Sequence, residues 1–201
     1  MGVDDACPYV SRGGLKLAHA LEVFGIDVEG ARCADLGCST GGFTDCLLRT
    51  GAGVVTSVDT AYNVLDFSLR RDERVRTRER ENALYAEPGD DGECDLVVVD
   101  IGWTIQRKAV PSAMRWLRDD PDACVITLIK PHYEASREEF ESRAIKGVLP
   151  EDVAQRVCDR VVEELREMGF LVEGVTRSPI AGGKGKRAGN AEWLALVRRS
   201  G

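Results

Sequence analysis

Residues 31–45, ARCADLGCSTGGFTD, constrain this chain more than any other stretch. A short apolar run through Asp35 and Leu36 breaks into a glycine-rich turn and restarts as a helix at Phe43, which predicts the carboxyl end of a first strand in an open α/β sheet. Gly37, Gly41 and Gly42 are expected to let the backbone bend sharply and approach a ligand closely. Ser39 and Thr40 place hydroxyls beside the free N–H groups of the next helix. The spacing is G-x-x-x-G-G rather than the G-x-G-x-x-G that seats a pyrophosphate on a helix N-terminus, so a ligand without phosphates is expected.

Two further features narrow that ligand. The run VVTSVD ends in Asp59, about twenty residues on, where a doubly wound sheet commonly sets a carboxylate against ribose hydroxyls. Asp35, Asp59 and Asp100 all fall at predicted strand ends, and so acidic a rim suits a cationic nucleoside. S-adenosylmethionine, with a sulfonium, an ammonium and a ribose, has that character. Taken alone, a glycine-rich turn with a later aspartate belongs equally to any open α/β sheet.

Composition excludes several alternatives. A chain of 201 residues suits one α/β domain, so residues 1–201 are expected to form a single domain. No apolar run reaches the roughly 20 residues of a membrane helix, and the N-terminal MGVDDACPYV lacks the charge and apolar core of a signal peptide, so a cytoplasmic protein is expected. The seven cysteines form no C-x-x-C and pair with no histidine at ligand spacing, so neither a disulfide framework nor a metal site is expected. Cys33, Cys46, Cys124 and Cys158 read as buried apolar residues, whereas Cys38 lies in the cofactor turn. A net charge of −7 argues against indiscriminate nucleic-acid binding. From Arg177 onward, however, six basic residues face one acidic residue, a local bias that fits a localised anionic partner or a simply solvated face.

In chain order, SRGGLKLAHALEVFG predicts a helix with Leu15, Ala18, Leu21 and Phe24 on its apolar face and Lys16 beside it. Strands are expected at Arg32–Leu36, at Val54–Asp59, around Val75–Arg78, in DLVVVD ending at Asp100, and in ACVITLIKP, which delivers Lys130. Helices are expected in 43–49, in AVPSAMRWLRDD and in 151–168, while Pro131 is read as barring helical continuation. FLVEGVTRSPI and NAEWLALVRR flank a short loop with no helix, which predicts an antiparallel terminal hairpin on an otherwise parallel sheet. That Rossmann-like α/β arrangement, a mostly parallel seven-stranded sheet closed by a hairpin, is how class I methyltransferases are built.

Four charges sit where solvation explains them poorly. Lys16 adjoins an apolar helix face, Asp100 and Lys130 end buried strands, and Glu192 falls in the hairpin strand NAEWLALV. Ligands of open α/β sheets lie beyond the carboxyl ends of the strands, so Asp100 and Lys130 should converge beside the cofactor turn. In a Lys-Asp-Lys-Glu cluster the carboxylates orient the lysines, and burial beside a like charge eases the loss of a proton. Such a lysine can take or steer the proton of a ribose hydroxyl as its oxygen attacks a methyl group. Read singly, the lysines could snorkel to water and Glu192 could face outward from an edge strand. His19 and His132 are too isolated to form a pair and read as structural, while Trp103, just past Asp100, could line a substrate entrance and stack on a base.

YVSRGGLKL, DLGCSTGGFTDCLL, DLVVVD, LIKP and the ending SPI…GKG…GN-x-E resemble the methyltransferase domain of the TlyA, or haemolysin A-type, family within the FtsJ-like ribose 2′-O-methyltransferases, from about Pro8 to Arg199. The resemblance implies S-adenosylmethionine as methyl donor, ribosomal RNA as substrate, and a catalytic tetrad of Lys16, Asp100, Lys130 and Glu192. It carries over Asp35, Gly37, Ser39, Thr40, Gly41, Gly42, Phe43, Asp59, Asn82 and Asp100 as cofactor-binding positions. Arg12, Trp103, Lys184, Lys186 and Arg187 are the expected RNA contacts. Members typically begin with a small RNA-binding module, and none is expected within these residues. After the strand-four aspartate the family usually shows a V-S-F-like sequence, whereas Ile101, Gly102 and Trp103 stand here. A methyltransferase of a small hydroxylated molecule, and a non-catalytic module that binds cofactor or RNA, remain open beside the RNA reading.

Overall fold

The computed structural model describes residues 7–144, 147–183 and 189–200. In chain order the elements are α1 (Gly13–Phe24), β1 (Arg32–Leu36), α2 (Gly42–Arg49), β2 (Val54–Asp59), α3 (Phe67–Arg70), β3 (Val75–Glu79), β4 (Leu96–Val99), α4 (Gln106–Met114), β5 (Cys124–Ile129), α5 (Pro131–Glu134), α6 (Arg137–Arg143), α7 (Glu151–Glu167), β6 (Phe170–Arg177) and β7 (Trp193–Arg199). They build one seven-stranded sheet in the order β3-β2-β1-β4-β5-β7-β6. The first five strands pair in parallel, and β7 is antiparallel to both β5 and β6, as the shortness of the connection in the sequence predicts.

Alternation within the strands sorts the core into two layers. Val97 and Val99 of β4 pack with Val125 and Ile129 of β5 under α4 and α7. Leu96 and Val98, one residue out of step, pack with Ile126 and Leu128 under α1, α2 and α3. Strands apolar on both faces therefore mark a sheet covered on both faces by helices. In α7, Val153, Ala154, Val157, Cys158, Val161, Val162 and Leu165 are buried, the stripe expected of a helix laid on a sheet. No helix among the described residues is long and apolar enough to cross a membrane.

Three local expectations are corrected. The buried face of α1 is Gly14, Lys16, Leu17, Ala20 and Leu21, so the helix is rotated from the stripe read in the sequence and Lys16 itself is inside. The helix expected over AVPSAMRWLRDD starts earlier and ends at Met114, with Pro111 inside it. Pro131 does not bar a helix but opens the four-residue α5, because the first helical turn needs no N–H and its φ is already helical.

Candidate active site

The turn after β1 is held by backbone proximity. Gly37 has φ 91°, and a Cβ there would lie 2.7 Å from the Asp100 carbonyl oxygen. Gly41 has φ 95°, and its Cβ would run into Leu69 and come within 2.7 Å of Leu65 beside α3. A Cβ on Gly42 would meet Ser11 and the Gly14 nitrogen, where the ends of α1 and α2 touch. The close approach expected of these glycines is thus toward the protein's own chain. Gly37 and Gly42 still line the cleft beside them, but Gly41 faces the α3 side and does not.

That cleft has a volume of about 690 Å³ and opens at the carboxyl ends of β1, β2, β4 and β5. Asp35, Gly37, Ser39, Thr40, Gly42, Phe43, Asp59, Asn82 and Asp100 all line it. Asp35 lies within β1, not at its end, and is wholly buried. Its Oδ2 accepts from the Thr44 nitrogen at 2.9 Å and the Thr44 hydroxyl at 2.7 Å, while its Oδ1 has no partner among the described residues. Burial pushes its carboxyl up to about 7, with the Thr44 bonds opposing and Asp100 and Asp59 adding to the rise. Asp59 accepts from the Ser39 and Ala61 nitrogens, each at 2.8 Å, which fixes its carboxylate at the rim. Cys38 is buried, and burial, then Asp35 and Asp59, push its thiol upward, so it is a neutral wall of the turn.

An unsatisfied buried acceptor with two more carboxylates around one cleft is a poor arrangement for an empty site and a good one for a cation. The residues present therefore fit an S-adenosylmethionine-like group. Asp59 offers acceptors to paired hydroxyls, Asp100 brings negative charge, and Asp35, whose carboxyl burial pushes up to about 7, can release its proton when a cation enters.

The four predicted charges come together at the far side of this cleft. Lys130, just past β5, forms an ion pair with Asp100, just past β4, although the contact is not aligned as a hydrogen bond. Lys16 Nζ donates to Glu192 Oε2 at 2.5 Å in a buried pair. Lys16, Asp100 and Lys130 line the cleft, while Glu192 stands behind them, one residue ahead of β7 and 3% exposed. The outward-facing alternative for Glu192 is thereby excluded. Burial raises the Glu192 carboxyl, with Lys16 and Lys130 opposing and Asp100 adding to the rise, so all four groups share one field. His132 lies in that field too. Its Nδ1 is buried without a partner among the described residues, and burial followed by Lys130 and Lys16 pushes it down to about 4, leaving a neutral imidazole.

The expected RNA contacts divide. Trp103 stands at the mouth, 86% exposed, with its ring centroid 4.8 Å from that of Tyr133. Arg12 lines the cleft and donates to the Gly183 carbonyl at 2.5 Å, tying α1 to the hairpin loop. Lys184, Lys186 and Arg187 lie outside the described residues. Sequence reasoning missed Ser11, Thr60 and Tyr133, which also line the cleft. Tyr133 could have been found by reading Pro131 as a helix start, since that places the next residues beside Lys130.

The chain matches the family model for FtsJ-like methyltransferases over residues 9–188. YqxC of Bacillus subtilis is 40% identical over 188 residues, which span 92% of this chain and 64% of that protein. The 16S/23S rRNA (cytidine-2′-O)-methyltransferase TlyA of Mycobacterium tuberculosis is 36% identical over 196 residues, 97% of this chain and 70% of that one. Among solved structures, a Streptococcus thermophilus protein superimposes with a TM-score of 0.87 at 37% identity, over 98% of this chain and 70% of its own. The chain thus spans about two thirds of the length of these relatives.

Proposed function

The chain belongs to the FtsJ-like methyltransferase family, in its TlyA or haemolysin A-type branch, and from that premise we propose that it transfers a methyl group from S-adenosylmethionine to a ribose 2′-hydroxyl of ribosomal RNA. The observation that carries this reading is the convergence of Lys16, Asp100, Lys130 and Glu192, from four separate segments, on one end of the cleft that the β1 turn lines. A cleft built only to bind a cofactor has no use for two lysines, one buried and one half-buried, interleaved with two carboxylates.

The bound cofactor supplies an electrophilic methyl on a sulfonium. Asp59 would hold its ribose hydroxyls and Asp35 its positive charge, with Ser39, Thr40, Phe43 and Asn82 shaping the walls. Lys130 would take the proton of the attacking 2′-hydroxyl when neutral, or steer that proton away when charged. Asp100 orients Lys130 through their ion pair, and Glu192 holds Lys16 so that its ammonium fixes the hydroxyl in line. General-base assistance contributes about 10² to 10⁴ in rate, and alignment of the reacting atoms much of the remainder. Trp103 offers an exposed face on which a base unstacked from the RNA can rest, and Arg12 a guanidinium at the same mouth.

The test is transfer of tritiated methyl from the cofactor to total ribosomal RNA, run beside a small-metabolite extract. Label should enter the RNA and not the extract. Lys130→Ala should abolish transfer while cofactor affinity stays nearly intact, and full activity in that variant would refute the mechanism.

A further inference from the structure

The loop after β4 and the segment after β5 are joined by two side-chain rungs in the same register. Asp100 pairs with Lys130, and three residues further along both segments the Trp103 ring lies 4.8 Å from the Tyr133 ring at an interplanar angle of 33°. The same Tyr133 ring lies 5.8 Å from Lys130 Nζ, within reach of a cation–π contact, and the His132 ring packs against it at 4.1 Å. Tyr133 is itself placed by α5, whose Tyr133 nitrogen donates to the Lys130 carbonyl at 2.9 Å.

Trp103 has little else to hold it. It is 86% exposed, and its φ of 60° lies in the left-handed region, which a bulky residue occupies only when its surroundings impose it. A Cβ built on the preceding Gly102 would find nothing within 4 Å among the described residues, so the space beside Trp103 is open on that side. Among the described residues the ring that Trp103 touches is Tyr133.

We infer that Tyr133 is a positioning residue that ties the Trp103 platform for the target base to the Lys130 side chain, so that the aromatic rung sets how far the stacked base stands from Lys130 Nζ. This rests on the RNA reading above for its substrate, but the tie itself can be measured without one. Its action is through other side chains: the ring keeps Trp103 at the cleft mouth and gives Lys130 a second neighbour besides Asp100.

The test compares Tyr133→Leu, which keeps apolar bulk without a ring face, with Tyr133→Phe, which keeps the ring. The first readout is acrylamide quenching of tryptophan fluorescence in the cofactor-free protein. It reports Trp103 selectively, because Trp116 and Trp193 are 0% and 4% exposed. The second is the kcat and KM for ribosomal RNA. Tyr133→Leu should raise the quenching constant, lower kcat by about tenfold to a hundredfold through misplacement, and raise KM for RNA by about tenfold as the stack loosens, with cofactor affinity unchanged. Tyr133→Phe should restore all of these to within about twofold. Unchanged quenching or unchanged kcat in the leucine variant, or a phenylalanine variant as impaired as the leucine one, would overturn the inference. If the unaltered protein transfers nothing to ribosomal RNA, the proposed substrate falls, and the quenching comparison still decides whether the ring holds Trp103.

Discussion

Replacing Asp35 by asparagine should flatten the pH dependence of folding stability in the cofactor-free protein. The residue is wholly buried, one oxygen is satisfied by Thr44, and the other has no partner among the described residues. Burial, opposed by the Thr44 bonds and reinforced by Asp100 and Asp59, lifts its carboxyl from 3.8 to about 7. Between those values the native protein keeps a proton that the unfolded chain has released, so the stability tied to that proton is whole below about pH 4 and is lost as the pH rises to about 7. At about 1.4 kcal/mol per pH unit the full effect has a ceiling of about 4 kcal/mol, of which about 2 to 3 kcal/mol falls between about pH 5 and about pH 8. Asparagine has nearly the same shape, its carbonyl can accept both Thr44 bonds, and it has nothing to titrate. Urea unfolding of both proteins at the two pH values gives a double difference. Glu134, also raised to about 7 by burial, has the same sign but cancels in it. The unsubstituted protein should lose about 2 to 3 kcal/mol more than Asp35→Asn across the interval. Equal losses would mean that Asp35 is ionised or solvated in the native state, and the account of an orphaned, protonated carboxyl would be wrong. A cationic cofactor reverses the preference, so the same substitution should weaken cofactor binding most at high pH.

Glu192→Gln leaves Lys16 buried without its counter-charge and should cost about 3 to 5 kcal/mol in a urea titration, whereas replacing the pair together by Met and Leu should restore most of the stability without activity. Stability retained in the single variant would show that Lys16 has another route to solvent. Gly41→Ala combines a left-handed φ with a collision into Leu65 and Leu69 and should cost about 2 to 4 kcal/mol, against about 1 kcal/mol for Gly25→Ala, where φ is 65° and the space is open. Equal costs at the two sites would remove the packing argument for Gly41. Neutralising Lys184, Lys186 and Arg187 together should lower the log–log salt slope of RNA binding by about 2 to 3, and an unchanged slope would make that loop a bystander.

The fold was legible because its signals are local. VVTSVD and DLVVVD announce strands through apolar runs bounded by turns, the α7 stripe repeats every three to four residues, and a short loop between two strand-like segments leaves little but a hairpin. Where local signals competed, the reading slipped. The apolar positions of α1 offer two overlapping faces, and contact with α2 and β7 chose the one that includes Lys16. Pro131 can end a helix or begin one, and only the turn out of β5 decides between them.

The residue types of the site could be named from the sequence, and their places at strand ends followed from the rule that ligands of such sheets lie beyond the carboxyl ends of the strands. Their partners could not. Lys16 and Glu192 are 176 residues apart, and a lysine beside an apolar stripe has the same local pattern whether it reaches water or a buried carboxylate. The glycines of the β1 turn likewise read as room for a ligand, because the sequence does not show that Asp100, Leu65 and the end of α1 occupy the space. Periodicity and turn chemistry act between near neighbours and are written along the chain. The pairing of charges, the orphaned oxygen of Asp35 and the stacking of Tyr133 on Trp103 depend on which distant segments the sheet order brings together, and that is decided when the layers pack.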